Sequence, residues 1–271
     1  MTEIEKFQNE VKENIEQQGA DQNLLQQRRQ WILDTSPYKY SYNFTALGRP
    51  IIQYPEDIVA MQEIIWDTRP DLIIETGIAH GGSLIHYASI LALLDYTDAI
   101  QNEEILDPAK PKRRILGMDI DIRSHNRKAI ESHPLSNRID MFEGSSIATD
   151  MVSKVRSYAE DYKNIMVVMD SNHTHDHVLE ELKAYAPLTS KDCYCVVFDT
   201  VVEDMPDFVH ANRPWGPGNN PKTAVWEYLE FLKDGGGQEQ KGQSLEFEID
   251  KTIENKLLIT VAPDGFLKRT S

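Results

Sequence analysis

The chain has 271 residues, 40% of them hydrophobic, which supports one sizeable core and suits a single α/β domain with terminal additions better than two domains. A formal net charge of -16 argues against nucleic acid or an anionic membrane as the main partner, because both are polyanions. The opening residues, Met1 to Lys6, carry neither a basic segment nor an apolar run, so no signal peptide is visible and a cytoplasmic protein is expected.

Residues 1–34 are rich in Gln and Glu, with apolar residues at Ile4, Phe7, Val11 and Ile15, then at Leu24, Leu25, Trp31, Ile32 and Leu33. That spacing predicts one or two amphipathic helices broken near Gly19. They are placed to pack on the domain, to cover the site or to meet a second copy. Residues 36–55 are aromatic and turn-rich and read as an ordered irregular segment, and Pro55 stands near the start of a helix through Trp66. Residues 1–55 are therefore taken as a helical and irregular extension, and 56–271 as the main domain.

From residue 72 strand and helix patterns alternate, which implies a parallel sheet with crossover helices. Strands are expected at Leu72–Glu75, Arg114–Ile120, Ile139–Phe142, Ile165–Met169, Tyr194–Phe198, Leu245–Ile249 and Lys256–Val261. Helices are expected at Ser83–Leu94, Ser124–Ser132, Ala148–Glu160, Thr174–Ala186 and Lys222–Lys233, with Asp95–Lys112 as a charged surface insertion. The Leu84–Leu94 run is the longest apolar stretch and is too short to span a bilayer. Cys193 and Cys195, two apart in a strand, should share a face without bridging, as reduced and buried thiols. Asn220-Pro221 has the chemistry of a helix start, and Gly235-Gly236-Gly237 that of a flexible end. The last two strands leave no room for a helix between them and should pair antiparallel, giving seven strands that end in a hairpin.

The organising stretch is Glu75-Thr76-Gly77-Ile78-Ala79-His80-Gly81-Gly82-Ser83, a strand end, a glycine turn and a helix start. Its glycines allow a tight turn and close approach of a ligand to a helix N-terminus. The spacing departs from the G-x-G-x-x-G dinucleotide fingerprint, and an acid just before the turn repels a pyrophosphate. It suits a cationic ligand, so S-adenosylmethionine is preferred to NAD. Ligands in open α/β sheets bind at the carboxyl ends of the strands, which makes the polar residues there the candidates. These are Glu75, Gly77, Gly81 and Ser83 for the methionine end, Asp119 for the ribose (ahead of Asp121), and Ser145 beside an adenine edge.

Asp170 and Asp199 end two later strands and could share a divalent cation such as Mg²⁺ through oxygen ligands. Such an ion lowers the pKa of a bound hydroxyl. His173 is the expected general base, while His175 and His177 are expected on a helix surface. A metal-dependent oxygenase or hydrolase built on the His173–His177 cluster is the main alternative, although the cluster is one residue short of H-x-H-x-D-H. The loop Arg213-Pro214-Trp215-Gly216-Pro217-Gly218 reads as a substrate wall. There Arg213 and Trp215 are substrate candidates, Trp215 either stacking on a sugar ring or pinning the loop.

Taken together, these motifs, with Gly117-Met118-Asp119-Ile120-Asp121 and Val196-Val197-Phe198-Asp199-Thr200, resemble the cephalosporin hydroxylase/rhamnosyl O-methyltransferase family from about residue 40 onward. The resemblance implies a Rossmann-like class I S-adenosylmethionine-dependent O-methyltransferase, often with Mg²⁺. Its acceptors would be sugar hydroxyls of surface glycans, glycolipids or secondary metabolites; separately, a homo-oligomer is expected. One departure stands out. Metal-binding relatives carry an acid just before the position of Asp199, where this chain has Phe198. A third ligand would then come from His173, Glu203 or water. A cofactor-binding subunit without activity of its own is the non-enzymatic alternative.

Overall fold

The computed structural model describes residues 1–236 and 245–271. The chain opens with α1 (Glu3–Ala20) and α2 (Gln22–Thr35), which break at Asp21, whose carboxylate caps α2. A small hairpin, β1 (Phe44–Ala46) and β2 (Arg49–Ile51), follows inside the segment expected to be irregular. Next comes α3 (Pro55–Thr68), started by its proline. The alternating core consists of β3 (Leu72–Thr76), α4 (Gly82–Gln101), β4 (Arg114–Asp119), α5 (Ser124–Glu131), β5 (Ile139–Glu143), α6 (Thr149–Ala159), β6 (Ile165–Met169), α7 (His175–Tyr185) and β7 (Tyr194–Val197). After it come α8 (Pro221–Lys233), β8 (Phe247–Ile249), α9 (Lys251–Leu257) and β9 (Phe266–Arg269).

Seven strands form one sheet in the order β5-β4-β3-β6-β7-β9-β8. All pairs are parallel except those made by β9, which runs antiparallel to both β7 and β8. Parallel strands are buried on both faces and read as continuous apolar runs for that reason. In β3, Ile73 joins the layer under α3 and α4, while Leu72 and Ile74 join the layer under α6, α7 and α8. Chain order reverses beside β3, between β4 and β6, and the cleft opens there.

The expected strand at Lys256–Val261 is not one. Asp250 accepts from the backbone N–H groups of Thr252 and Ile253 and starts α9, so the terminal strand moves to Phe266–Arg269. A helix thus does fit between the last two strands, although they pair antiparallel as expected. The Cys193 and Cys195 thiols are free and buried but lie in the two opposite core layers, because Cys193 sits in the turn before β7. Gly237, part of the expected flexible end of α8, lies outside the described residues. The helix start at Asn220 is a full capping box: its Oδ1 accepts from Lys222 N (2.9 Å) and Thr223 N (3.3 Å). Among the described residues, no helix is long and apolar enough to cross a membrane.

The extension contacts the domain unevenly. In α1 no residue is buried, and Ile4 and Phe7 are exposed; Gln18 Nε2 ties it to α9 by donating to Asn255 O at 2.7 Å. By contrast, α2 buries Ile32 against Tyr54 and Met205.

Asp95–Lys112 is only partly a surface insertion. Helix α4 runs on to Gln101, and Asp95 within it is 2% exposed, held by Arg113 (2.6 Å) and Arg138 (2.7 Å). Removing one partner of a buried ion pair leaves an uncompensated charge, so Asp95→Ala should cost about 3–5 kcal/mol. Urea unfolding followed by circular dichroism measures this, and a cost below about 1 kcal/mol would refute it.

Candidate active site

The turn after β3 is shaped by a missing side chain. Gly77 has φ of +91°, and a Cβ there would run into the backbone carbonyl of Asp170. Only glycine lets the tips of β3 and β6 come this close. Asp119, at the end of β4, then fixes the loop: its Oδ2 accepts from Ile78 N (2.9 Å) and Ala79 N (3.3 Å). A cleft of about 290 Å³ opens over these tips, lined among others by Gly77, Asp119, Ile120, Ser145, Asp170 and Trp215. Ser83 lines a smaller recess behind it, together with Gly77 and Asp170.

Two of the expected binding residues stand back from this cleft. Gly81 caps α4 in a left-handed conformation, and its Cα faces the Ile130 side chain. Glu75 is fully buried beneath the turn, and neither of its carboxylate oxygens has a hydrogen-bond partner. Burial pushes its pKa up to about 8, against a smaller lowering from nearby Ser83. At neutral pH Glu75 therefore keeps its proton, and the negative charge read from the sequence appears only where a cation comes near enough to draw it out.

The acids at the tips of β6 and β7 come together with a histidine. Asp170 follows β6, Asp199 follows β7 with φ of +57°, and His173 Nε2 lies 3.0 Å from Asp199 Oδ2. One ligand atom from each of the three fits within 4.8 Å of the others, the only such His/Cys/Asp/Glu group among the described residues. Two carboxylate oxygens and an imidazole nitrogen form a donor set that suits a divalent cation. Burial first, then the Asp199 charge, holds the Asp170 carboxyl well above the usual carboxylate range. Burial pulls the His173 pKa down, but the Asp199 charge and hydrogen bond overcome this and raise it to about 9. Burial would raise Asp199, yet His173 brings it below its ordinary value. With Asp199 facing it alone, the His173 ring is a cation at neutral pH and has no lone pair for a proton.

The other ligand candidates are accounted for. Phe198 is 1% exposed and belongs to the apolar core. Glu203 Oε2 accepts from Gly218 N (2.7 Å) and Asn220 Nδ2 (2.5 Å), so it braces the proline-glycine loop and stands outside the Asp170–His173–Asp199 group.

A second cavity of about 320 Å³ lies on the His173–Asp199 side of this cluster, lined among others by Ile32, Tyr54, His173, Asp199, His210 and Arg213. Trp215 borders both cavities, edge-on to His173 (ring centroids 4.8 Å) and under the Arg213 guanidinium at 5.2 Å. Helix α2 therefore covers the site from the extension side.

The His173–His177 cluster does not converge. The His175 ring bridges α7 to α8 through Thr223 Oγ1 (2.8 Å) and Glu227 Oε2 (3.0 Å). His177, expected on the surface, lines the cleft and touches Ser146 Oγ (3.1 Å) and Glu181 Oε1 (3.3 Å). Sequence reading missed Glu181, and placed Ser146 and Ser171 only within turns after strands, without a role of their own. One signal was present: Glu181 interrupts the apolar stripe Val178, Leu179, Leu182, Tyr185 of α7, and a charge on a core face needs a partner.

The strand order, the glycine turn and the paired acids at neighbouring strand tips define a Rossmann-like α/β fold with its cleft at the carboxyl ends of the strands. Residues 38–270 match the rhamnosyl O-methyltransferase/CmcI family, and the chain belongs to it. It is 29% identical over 216 residues to a rhamnosyl O-methyltransferase of Mycobacterium bovis, covering 79% of this chain and 73% of that one. To the Mycobacterium leprae rhamnosyl O-methyltransferase it is 27% identical over 227 residues, covering 83% and 82%. A solved CmcI structure with Mg and SAM aligns with a TM-score of 0.49 at 15% identity, over 85% of this chain and 78% of that one.

The protonated Glu75 gives a pH signature. Its folded pKa of about 8 lies above the ordinary 4.5, so its contribution to stability is complete below about 4.5 and is lost as pH rises through 8. Glu75→Gln cannot ionise and escapes this loss. In urea unfolding without ligand, the variant should gain on the wild type by several kcal/mol between pH 5 and pH 8.5, at about 1.4 kcal/mol per pKa unit. Parallel stability curves for the two proteins would show that Glu75 is ionised in the folded state.

Proposed function

We propose that this protein transfers the methyl group of S-adenosylmethionine to a hydroxyl of a sugar acceptor, with a divalent cation such as Mg²⁺ held by Asp170 and Asp199. One observation carries the reading: the Asp170–His173–Asp199 cluster stands between the two cavities, Asp170 lining the glycine-turn cleft and His173 and Asp199 the second cavity. A donor in one and an acceptor in the other would meet over these side chains, and such alignment supplies much of the rate of a displacement. When bound, the donor supplies an electrophilic methyl group and the cation a Lewis acid that lowers the pKa of a hydroxyl.

The chain's own residues do the rest. The Gly77 turn and Ser83 border the recess suited to the methionine end, and Asp119 and Ser145 border the part suited to ribose and adenine. Asp170 reaches the cleft from the β6 tip, and Asp199 reaches the acceptor cavity from the β7 tip. His173, a third potential ligand, lines the acceptor cavity and would be the base for the acceptor proton if a cation shared Asp199 with it. Trp215 closes the wall between the cavities against water, and Arg213 over its ring presents a cationic edge to the acceptor. The rhamnosyl O-methyltransferase relatives favour a glycan or sugar-bearing small molecule as acceptor, and the acidic chain favours one that is not a polyanion. The oxygenase and hydrolase alternatives lose their support because His175 and His177 point to other partners.

Calorimetry with S-adenosylhomocysteine should give micromolar binding, and NAD none; the reverse would overturn the donor assignment. Asp199 borders only the acceptor side, so Asp199→Asn should lower turnover at least about a hundredfold. Its affinity for S-adenosylhomocysteine should stay within about threefold of wild type. Chelation with EDTA should abolish turnover and added Mg²⁺ restore it. Cofactor binding with no turnover on any sugar acceptor would instead mark a non-catalytic subunit.

A further inference from the structure

Glu181 on α7 is 0% exposed, and three strand ends reach it. Thr76 Oγ1, at the end of β3, donates to its Oε2 at 3.2 Å. Ser146 Oγ, after β5, donates to Oε1 at 2.5 Å, and Ser171 Oγ, after β6, donates to Oε1 at 2.6 Å. His177 Nε2 lies 3.3 Å from the same Oε1 and 3.1 Å from Ser146 Oγ. Ser146, Ser171 and His177 all line the glycine-turn cleft.

A carboxylate offers lone pairs and nothing else, so every neighbour that bonds to it must point a proton inward. Ser146 and Ser171 each have one proton, and Glu181 takes both. Toward the cleft these hydroxyls are left with oxygen lone pairs only. We infer that Glu181 is a positioning residue that turns this wall of the cleft into an acceptor surface, so that it selects a purine bearing an exocyclic amino group over one bearing a carbonyl. The inference rests on the adenosyl-donor reading above. At the 6-position an amino group brings N–H donors to the wall, whereas a carbonyl sets lone pair against lone pair there and leaves the buried Ser146 hydroxyl oxygen unpaired on that side. A site of this kind rejects the wrong partner strongly, because the unpaired group keeps its desolvation cost.

The test compares S-adenosylhomocysteine with S-inosylhomocysteine, in which a carbonyl replaces the amino group and the neighbouring ring nitrogen carries a proton, by calorimetry on the full chain. The inosyl compound should bind the wild type at least about a hundredfold more weakly. Equal affinity, or tighter inosyl binding, overturns the inference. Binding of neither compound defeats the adenosyl-donor reading instead, which keeps the two failures apart. In Glu181→Gln the amide can donate, the serine hydroxyls are free to turn, and the preference should fall below about tenfold. Should that variant not fold, Ser171→Ala serves: the adenosyl compound should weaken about tenfold while the inosyl one stays unchanged. A merely structural role would weaken both compounds together, and an unaltered ratio in these variants overturns the inference.

Discussion

The close approach of β3 and β6 is the constraint on which the site depends. Asp170 N donates to Thr76 O at 2.8 Å, continuing the parallel ladder one step past the end of the strands. Gly77 then gives way to the Asp170 carbonyl because it has no Cβ. A side chain at residue 77 would push the two tips apart, and with them nearly everything the site uses. Asp170 would leave the cluster it forms with His173 and Asp199. The loop held by Asp119 would lose its seat, and Thr76 and Ser171 would no longer reach Glu181 together. Backbone packing at one glycine therefore sets the placement of groups from four strands.

Legibility followed from how local each signal was. The continuous apolar runs of β3, β4, β6 and β7 are dictated by burial on both faces and could be read directly. Asn220-Pro221 announced a helix start because capping is settled within four residues. The terminal strand failed because Lys256–Val261 is apolar enough for a strand, while Asp250 nucleates a helix whose last residues overlap it. Position on the sheet, which decided the matter, is a long-range fact. The β1–β2 hairpin was missed since three-residue strands leave too short an alternation to detect.

In the site, residue types were readable while charge states and partners were not. Asp119, Asp170 and Asp199 stand out by their place at strand ends, and Arg213 and Trp215 by their place in a loop rich in proline and glycine. Glu75 looked like an anion next to a turn, but whether an acid at a strand end faces solvent or core depends on the pleat and on the helix above it. Glu203 looks like a spare ligand in the sequence, but in the fold its Oε2 accepts twice from the proline-glycine loop. Glu181, invisible as a site residue, gathers its partners from across 105 residues of chain, a distance no local pattern spans.

The electrostatics of the strand tips explain why a cationic donor and a metal ion suit this fold. Glu75 and Asp170 are both pushed upward chiefly by burial, Glu75 to about 8. His173 alone answers Asp199 closely, and Arg213 stands at the outer edge over Trp215. A site with this imbalance pays for every anion brought into it and is relieved by every cation. A diphosphate would add to the deficit, whereas a sulfonium, an ammonium and a divalent ion each reduce it. The wall formed through Glu181 follows the same logic with hydrogen bonds, since it too offers acceptors and asks for donors. Charge and hydrogen-bond polarity thus point one way around the whole cleft, and that agreement excludes more ligands than any single residue in it could.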